Sequence, residues 1–360
     1  MRVAFRTDAS LQIGTGHVMR CLTLADALRD KGANIQFVCR THEGHLIDYV
    51  QSCGYEAHAL PKLNFSSSFE SGLQHAHWLG VNWQTDAEQT KEALGIEKLD
   101  LLVVDHYALD YRWELEMQSM CSRVMVIDDL ADRRHDCHLL LNQNYGSSAS
   151  RYVSLVPDKC TQLHGPEFAL LKPIYAQRRC ERERCNGRIE RVLVYFGGGA
   201  DPMFLTEMAL HAFQTLELLK IELDVVVGFG YTKRKELKAH AESRGGIHIH
   251  SQLPDLSELM VEADLALGAG GATTWERCCL GLPSIVICTA DNQLPASEAL
   301  VADGLISYMG HVGDITPEIL RDQVLELLDK PEKLGELSEK SMKLVDGKGV
   351  NRILNKVLVR

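Results

Sequence analysis

The chain has 360 residues, enough for two domains of ordinary size, and its 45% hydrophobic and 24% charged content is that of a globular protein. A formal net charge of −11 argues against a general nucleic-acid binder, which would be basic, but leaves room for a local anion site built from backbone amides. The eleven cysteines are scattered without paired CxxC spacing, and no apolar run approaches the ~20 residues that span a bilayer. Reduced thiols, no zinc, no membrane insertion and a cytoplasmic location are therefore expected.

Short apolar runs alternate with helical patterns along the chain. In the first half the expected strands are Val3–Phe5, Ile35–Cys39, Leu101–Val104, Val124–Ile127 and Leu139–Leu141. Helical spacing covers His17–Arg29, Gln84–Leu94 and Trp113–Met120, and Ser66–Ser68 reads as a surface loop. A charged stretch, Gln177–Arg191, marks the boundary and reads as a solvated linker or helix. The second half repeats the rhythm, with strands at Val192–Phe196, Leu223–Val227, Ile247–His250, Leu265–Leu267 and Ser284–Cys288. Its helices are expected at Phe204–Leu219, Lys233–Ser243, Thr273–Leu280 and Gln293–Ala302, and two more amphipathic patterns start near Thr316 and Pro331. Strands of four to six residues alternating with helices imply parallel sheets covered on both faces, so the fold class is α/β with two doubly wound domains. The expected division is residues 1–175, residues 190–345 and a tail over 346–360.

Ligands of open parallel sheets bind beyond the carboxyl ends of the strands, and each motif here lies at such an end. The first is the turn RTDASLQIGTGHVMR, where Gly14 and Gly16 precede His17 at the start of a helix. Glycines let a ligand approach the backbone, and a helix N-terminus favours negative charge. That end also disfavours an imidazolium, so His17 is suited to accept a proton at neutral pH. Asp8 is placed to orient His17 or to cap the turn. Asp105-His106-Tyr107 and Asp291-Asn292-Gln293 follow two other strands, and Tyr107 and Asn292 are candidates for positioning a water or a sugar hydroxyl. His106 reads equally well as a packing residue. Gly197–Gly199 and the run Gly268–Thr274 suggest a nucleotide site, with amides at the helix start holding a diphosphate and Glu276 accepting from ribose hydroxyls. The alternative is that these glycines only make tight turns and that Glu276 only favours the helix end. No Gly-Lys-Ser/Thr follows either run and the opening turn lacks a third Rossmann glycine, which weakens kinase and dehydrogenase readings. Asp128 and Asp129 are adjacent, but their side chains diverge if they end a strand, and no Asp-x-Asp is present, so no metal is expected.

The run RTDASLQIGTGHVMRCLTLA resembles the opening signature of the UDP-2,4-diacetamido-2,4,6-trideoxy-β-L-altropyranose hydrolases, the PseG family of pseudaminic acid biosynthesis. VVDHYALD, LLLNQNYG, YFGGGADP and TADNQ are similar to further segments of that family, and the likeness extends to about residue 305. The resemblance implies a GT-B type fold related to MurG-like glycosyltransferases: two Rossmann-like domains facing a cleft, with UDP against the C-terminal one. It implies hydrolysis of the sugar–UDP bond by water attack at the anomeric carbon, with His17 as general base and Tyr107 and Asn292 around the reacting sugar. Substrate-binding candidates are Asp8, Gly14, Gly16 and Arg20, then Gly198, Gly270, Gly271, Ala272, Thr273 and Glu276, the last also implied by the resemblance. GAGGATTWE is more glycine-rich than the serine-containing version of some relatives. The implied partner is a UDP-sugar, with transient contacts to neighbouring pathway enzymes, a role in flagellin glycosylation and no cofactor. A glycosyltransferase of the same fold and a non-catalytic nucleotide-sugar-binding protein are the competing readings.

Overall fold

A computed structural model describes residues 1–358 other than 63–71, 183–186, 200, 215–217, 219, 229 and 252. The expected loop at Ser66–Ser68 and part of the distal end of the expected helix Phe204–Leu219 lie outside the described residues; the described helix there is Leu205–Ala212. The chain divides into two compact units, Met1–Leu170 with Val350–Arg360, and Leu171–Gly349.

The first unit holds a seven-stranded sheet: β1 (Arg2–Thr7), β2 (Asn34–Arg40), β3 (Glu56–Leu60), β4 (Leu101–Asp105), β5 (Val124–Ile127), β6 (Leu139–Asn142) and β7 (Thr161–His164). All pairs are parallel and the spatial order is β3-β2-β1-β4-β5-β6-β7. Residues 3–7 of β1 are buried without alternation, as a parallel strand covered on both faces requires. Val3 and Phe5 join one apolar layer with Phe37, Leu101 and Leu28, while Ala4 joins the opposite layer with Leu102, Val104 and Trp113. The helix Gly349–Val357 completes the first layer through Val350, Ile353, Leu354 and Val357. Arg123 Nη1 donates to the Val357 carbonyl at 2.8 Å, satisfying a helix end.

The second unit holds β8 (Arg191–Tyr195), β9 (Glu222–Val227), β10 (Ile247–Ser251), β11 (Leu265–Ala269), β12 (Ser284–Cys288) and β13 (Ser307–His311), all parallel, in the order β10-β9-β8-β11-β12-β13. The stretch Gln177–Arg191 is not simply a solvated linker. Arg179 donates to the carbonyls of Cys279, Met342 and Val345, and Arg182 to those of Met260 and Ala263, so two of its charges close helix C-termini. In both sheets the strand order reverses next to the first strand, between β1 and β4 and between β8 and β11. That reversal opens a crevice beyond the carboxyl ends, where ligands of such sheets bind. Among the described residues no helix is long and apolar enough to cross a membrane.

Candidate functional site

The first crevice lies where β1 runs into the helix Gly16–Arg29 and where β4 ends at Asp105. The loop between β1 and that helix is closed by the Gly14 amide donating to the Ser10 carbonyl at 2.9 Å, with Gly14 at φ 79°, a conformation that favours glycine. Thr15 makes no side-chain cap bond, and no acidic residue lies in the helix's first turn. His17 and Arg20, three residues apart on one helix face, both reach Asp105.

Asp105 is fully buried and serves as the centre of the cluster. Because a carboxylate only accepts, His17 Nδ1–H donates to its Oδ1 at 2.6 Å, which leaves Nε2 as the ring's basic atom. Arg20 grips the same carboxylate at 2.6 and 2.7 Å through Nε and Nη2, and reaches Asp129 Oδ2 through Nη1 at 2.8 Å. Burial pushes the Asp105 carboxyl up, but Arg20 and His17 outweigh it and hold the group well below the usual carboxylate range. Asp129 also accepts from the Tyr107 hydroxyl at 2.6 Å and from Asn144 Nδ2 at 2.9 Å. Burial and Asp129 push the Tyr107 phenol well above its ordinary value, so it stays a donor. The Tyr107 ring meets His17 edge-on, with centroids 4.6 Å apart.

Asp8 does not orient His17; Asp105 does. Asp8 is fully buried in an adjoining charge cluster, accepting from Arg6 at 2.7 and 3.0 Å and from the Arg40 amide at 2.6 Å. Arg6 and Arg40 both turn on to Asp86, which also accepts from Trp113 Nε1. His106 packs beside this cluster with Nε2 3.1 Å from Asp8, and burial lowers its pKa. The adjacent pair Asp128-Asp129 diverges as expected, Asp128 going to Arg133 and Asp129 to Arg20.

The second crevice gathers the glycine runs. The loop Phe196–Gly199 after β8 lies directly on Gly228, where an added Cβ would sit 2.3 Å from the Gly198 carbonyl oxygen. After β11, Gly270, Gly271 and Ala272 lead into the helix Thr273–Leu280, whose cap residue Ala272 offers no side-chain bond. Beneath this loop runs Arg277, only 2% exposed. It donates to the Ala269 carbonyl at 2.8 Å and to the hydroxyls of Thr274 and Thr273 at 3.0 and 3.3 Å, and its Nε finds no partner. Burial lowers the guanidinium to about 10. Gly268 leaves the room it needs, because a Cβ there would fall 2.2 Å from Arg277 Nη1. Gln293 Oε1 accepts from the amides of Gly270 and Thr289, tying the loop to the end of β12, and Asn292 lies beside it in the turn Asp291–Gln293. Burial pushes the Glu276 carboxyl up to about 7, against the opposing influence of the Tyr175 hydroxyl, Arg277 and Lys172. Tyr175 in turn accepts from the Leu256 amide at 3.2 Å.

Residues 192–353 match the glycosyltransferase family 28 C-terminal domain. The chain is 27% identical over 306 residues to a UDP-2,4-diacetamido-2,4,6-trideoxy-β-L-altropyranose hydrolase of Campylobacter jejuni, covering 84% of this chain and 97% of that one. The family resemblance seen in the sequence holds. A spore coat polysaccharide biosynthesis protein, SpsG, of Bacillus subtilis is 22% identical over 98% of the chain and 96% of its own. The crystal structure of Acinetobacter baumannii MurG superposes with a TM-score of 0.63 at 15% identity, over 99% of both chains. The fold is thus two Rossmann-like units of the GT-B glycosyltransferase type.

Of the candidates in the first unit, the structure brings His17, Arg20 and Tyr107 together, with Gly14 and Gly16 flanking them. In the second, Gly270, Gly271, Ala272, Thr273 and Glu276 share one loop and helix, with Asn292 and Gly198 at the ends of the two neighbouring strands. Asp105, Asp129, Arg277 and Gln293 are not among the sequence candidates. Each has a signal in hindsight: a polar residue at the end of a buried strand, or one directly beside a chosen site residue.

Proposed function

We propose that this chain hydrolyses UDP-2,4-diacetamido-2,4,6-trideoxy-β-L-altropyranose to UDP and 2,4-diacetamido-2,4,6-trideoxy-L-altrose. The observation that carries the reading is the His17–Asp105 pair at 2.6 Å, in a chain similar over most of its length to a hydrolase of that substrate. His17 Nε2 takes a proton from water as the water oxygen bonds to the anomeric carbon. The bond from that carbon to the diphosphate oxygen breaks, and its electron pair leaves with UDP. Attack opposite the leaving group inverts the anomeric centre. Asp105 holds the ring in the basic tautomer and stabilises the positive charge it acquires, as an orienting carboxylate does in hydrolytic triads. Amides of Gly270–Thr273 and the Arg277 charge beneath them favour the diphosphate and the charge it develops, so no metal is called on. Glu276 accepts from the ribose hydroxyls and Asn292 serves the sugar. In this reading Tyr107, whose hydroxyl is engaged by Asp129, shapes the wall beside His17.

The experiment is NMR of the protein with this UDP-sugar, following UDP and free sugar together. His17→Asn is expected to lower turnover by about 10²–10⁴ while keeping UDP affinity; near-normal turnover would remove His17 as base. The family 28 match favours a second reading, transfer to a sugar or lipid acceptor. Release of UDP with no acceptor present decides for hydrolysis. On the hydrolase reading the chain works in the cytoplasm in pseudaminic acid biosynthesis, upstream of flagellin glycosylation and in transient contact with neighbouring pathway enzymes.

A further inference from the structure

An aromatic surface built from His75 and Trp78 lies against the His17 cluster. The 3-10 turn Ala76–Leu79 is anchored by Leu79 and then by Val81, both buried in the core of the first unit. Gly80, at φ 73°, ends the turn where an added Cβ would crowd His42 at 3.1 Å. Gln12 Nε2 donates to His77 Nε2 at 3.0 Å, so the turn is fastened to the loop that presents His17. Trp78 then stacks on Tyr107, with ring centroids 5.5 Å apart and planes 26° from parallel. His75 meets both rings edge-on at 4.6 and 5.4 Å, and the Trp78 ring lies 6.4 Å from His17. Tyr107 is buried behind the stack, whereas Trp78 and His75 remain partly exposed, so the indole contributes accessible aromatic surface beside His17.

Such a surface discriminates chemically. An indole face is apolar and carries a negative quadrupole, so it receives methyl groups and polarised C–H bonds. A hydroxyl pressed onto it loses water without gaining a partner. We infer that Trp78, backed by Tyr107 and edged by His75, is the platform on which the reacting sugar lies beside His17, and that it selects deoxygenated, N-acetylated hexoses over fully hydroxylated ones. The inference rests on the proposed UDP-sugar hydrolysis and adds the specificity-determining residue to it. An apolar site rejects an added hydroxyl only modestly, so the preference expected from this face is at most about 10²-fold in kcat/KM.

The test uses the full chain carrying His17→Asn, which slows turnover, titrated with UDP-2,4-diacetamido-2,4,6-trideoxy-β-L-altropyranose and, as the fully hydroxylated comparator expected to bind more weakly, UDP-glucose. Sugar methyl protons over an aromatic face shift upfield on binding. With Trp78 present that shift is expected for the trideoxy sugar; Trp78→Phe keeps most of it, and Trp78→Leu, which preserves apolar packing, loses it while the uracil protons still report binding. In otherwise wild-type protein Trp78→Leu raises KM about 10- to 100-fold, the range of losing one stacked ring, and lowers kcat less. An unchanged upfield shift and KM in Trp78→Leu overturns the platform, as does a His17→Asn complex that keeps Trp78 and shows no methyl shift. If the wild-type protein releases no sugar but the methyl shift still depends on Trp78, hydrolysis falls and the platform stands.

Discussion

Replacing Asp105 by Asn tests the centre of the first site with almost no change of shape. The carboxylate accepts three charge-assisted or ring N–H bonds within 2.7 Å, one from His17 and two from Arg20, and is shielded from water. An amide has one oxygen to offer. Arg20 donates to both oxygens, so either orientation of the amide leaves one arginine N–H group facing the NH2; with the NH2 at the Oδ1 position it also faces His17 Nδ1. That holds His17 in the opposite tautomer, with Nε2 protonated and unable to accept from water. The expected fall in kcat is therefore that of losing the base, about 10²–10⁴. Breaking a buried ion pair costs about 3–5 kcal/mol, and the loss here is expected toward the lower end because Arg20 keeps Asp129 at 2.8 Å. UDP affinity should not change, since the nucleotide candidates all lie in the second unit. The assay is initial-rate NMR of UDP and sugar release, with thermal unfolding and UDP titration on the same sample. An Asp105→Asn protein that folds, binds UDP and turns over at the wild-type rate would refute the tautomer reasoning.

Glu276 predicts a pH dependence of nucleotide binding. Its carboxyl is raised to about 7 in the free protein, and ribose hydroxyls donate to the ionised form. UDP affinity should therefore rise as pH increases through 7, by at most ~10-fold per pH unit below it. Glu276→Gln, or 2′,3′-dideoxy-UDP as ligand, should flatten the rise in calorimetric titrations. Gly228→Ala drives a Cβ to 2.3 Å from the Gly198 carbonyl oxygen; a loss of about 1–3 kcal/mol in denaturant unfolding and weaker UDP binding are expected. Ile353→Ala opens a cavity at a fully buried position in the first unit and should cost about 2–5 kcal/mol, with UDP affinity unaffected.

The central strands of both sheets were legible in the sequence because they are buried on both faces and read as unbroken apolar runs. Three strands were not: β3 (EAHAL), β7 (TQLH) and β13 (SYMGH). All three are sheet edges, where partial exposure admits polar residues and the apolar signal fades. The site divides in a similar way. Glycines before a helix and a histidine at its start announce themselves locally, whereas the partner of His17 is set by which strand lies beside β1. The register pairs Thr7 with Asp105, some hundred positions apart, and no local spacing carries that information. Trp78 was missed because a single 3-10 turn has no period to detect. The arginines of Gln177–Arg191 looked like solvent-facing charge because the carbonyls they satisfy come from helices far along the chain.

The helix Gly349–Val357 has a consequence for biogenesis. The second unit is one continuous stretch, residues 171–349, interposed within the first. Its sheet and layers are complete in sequence before the first unit has received Val350, Ile353, Leu354 and Val357, which finish one of its two apolar layers. During synthesis, therefore, the half that is begun first is sealed last. The nascent first unit carries an uncovered apolar face for the whole time the second is being made, which is when a chaperone would find it.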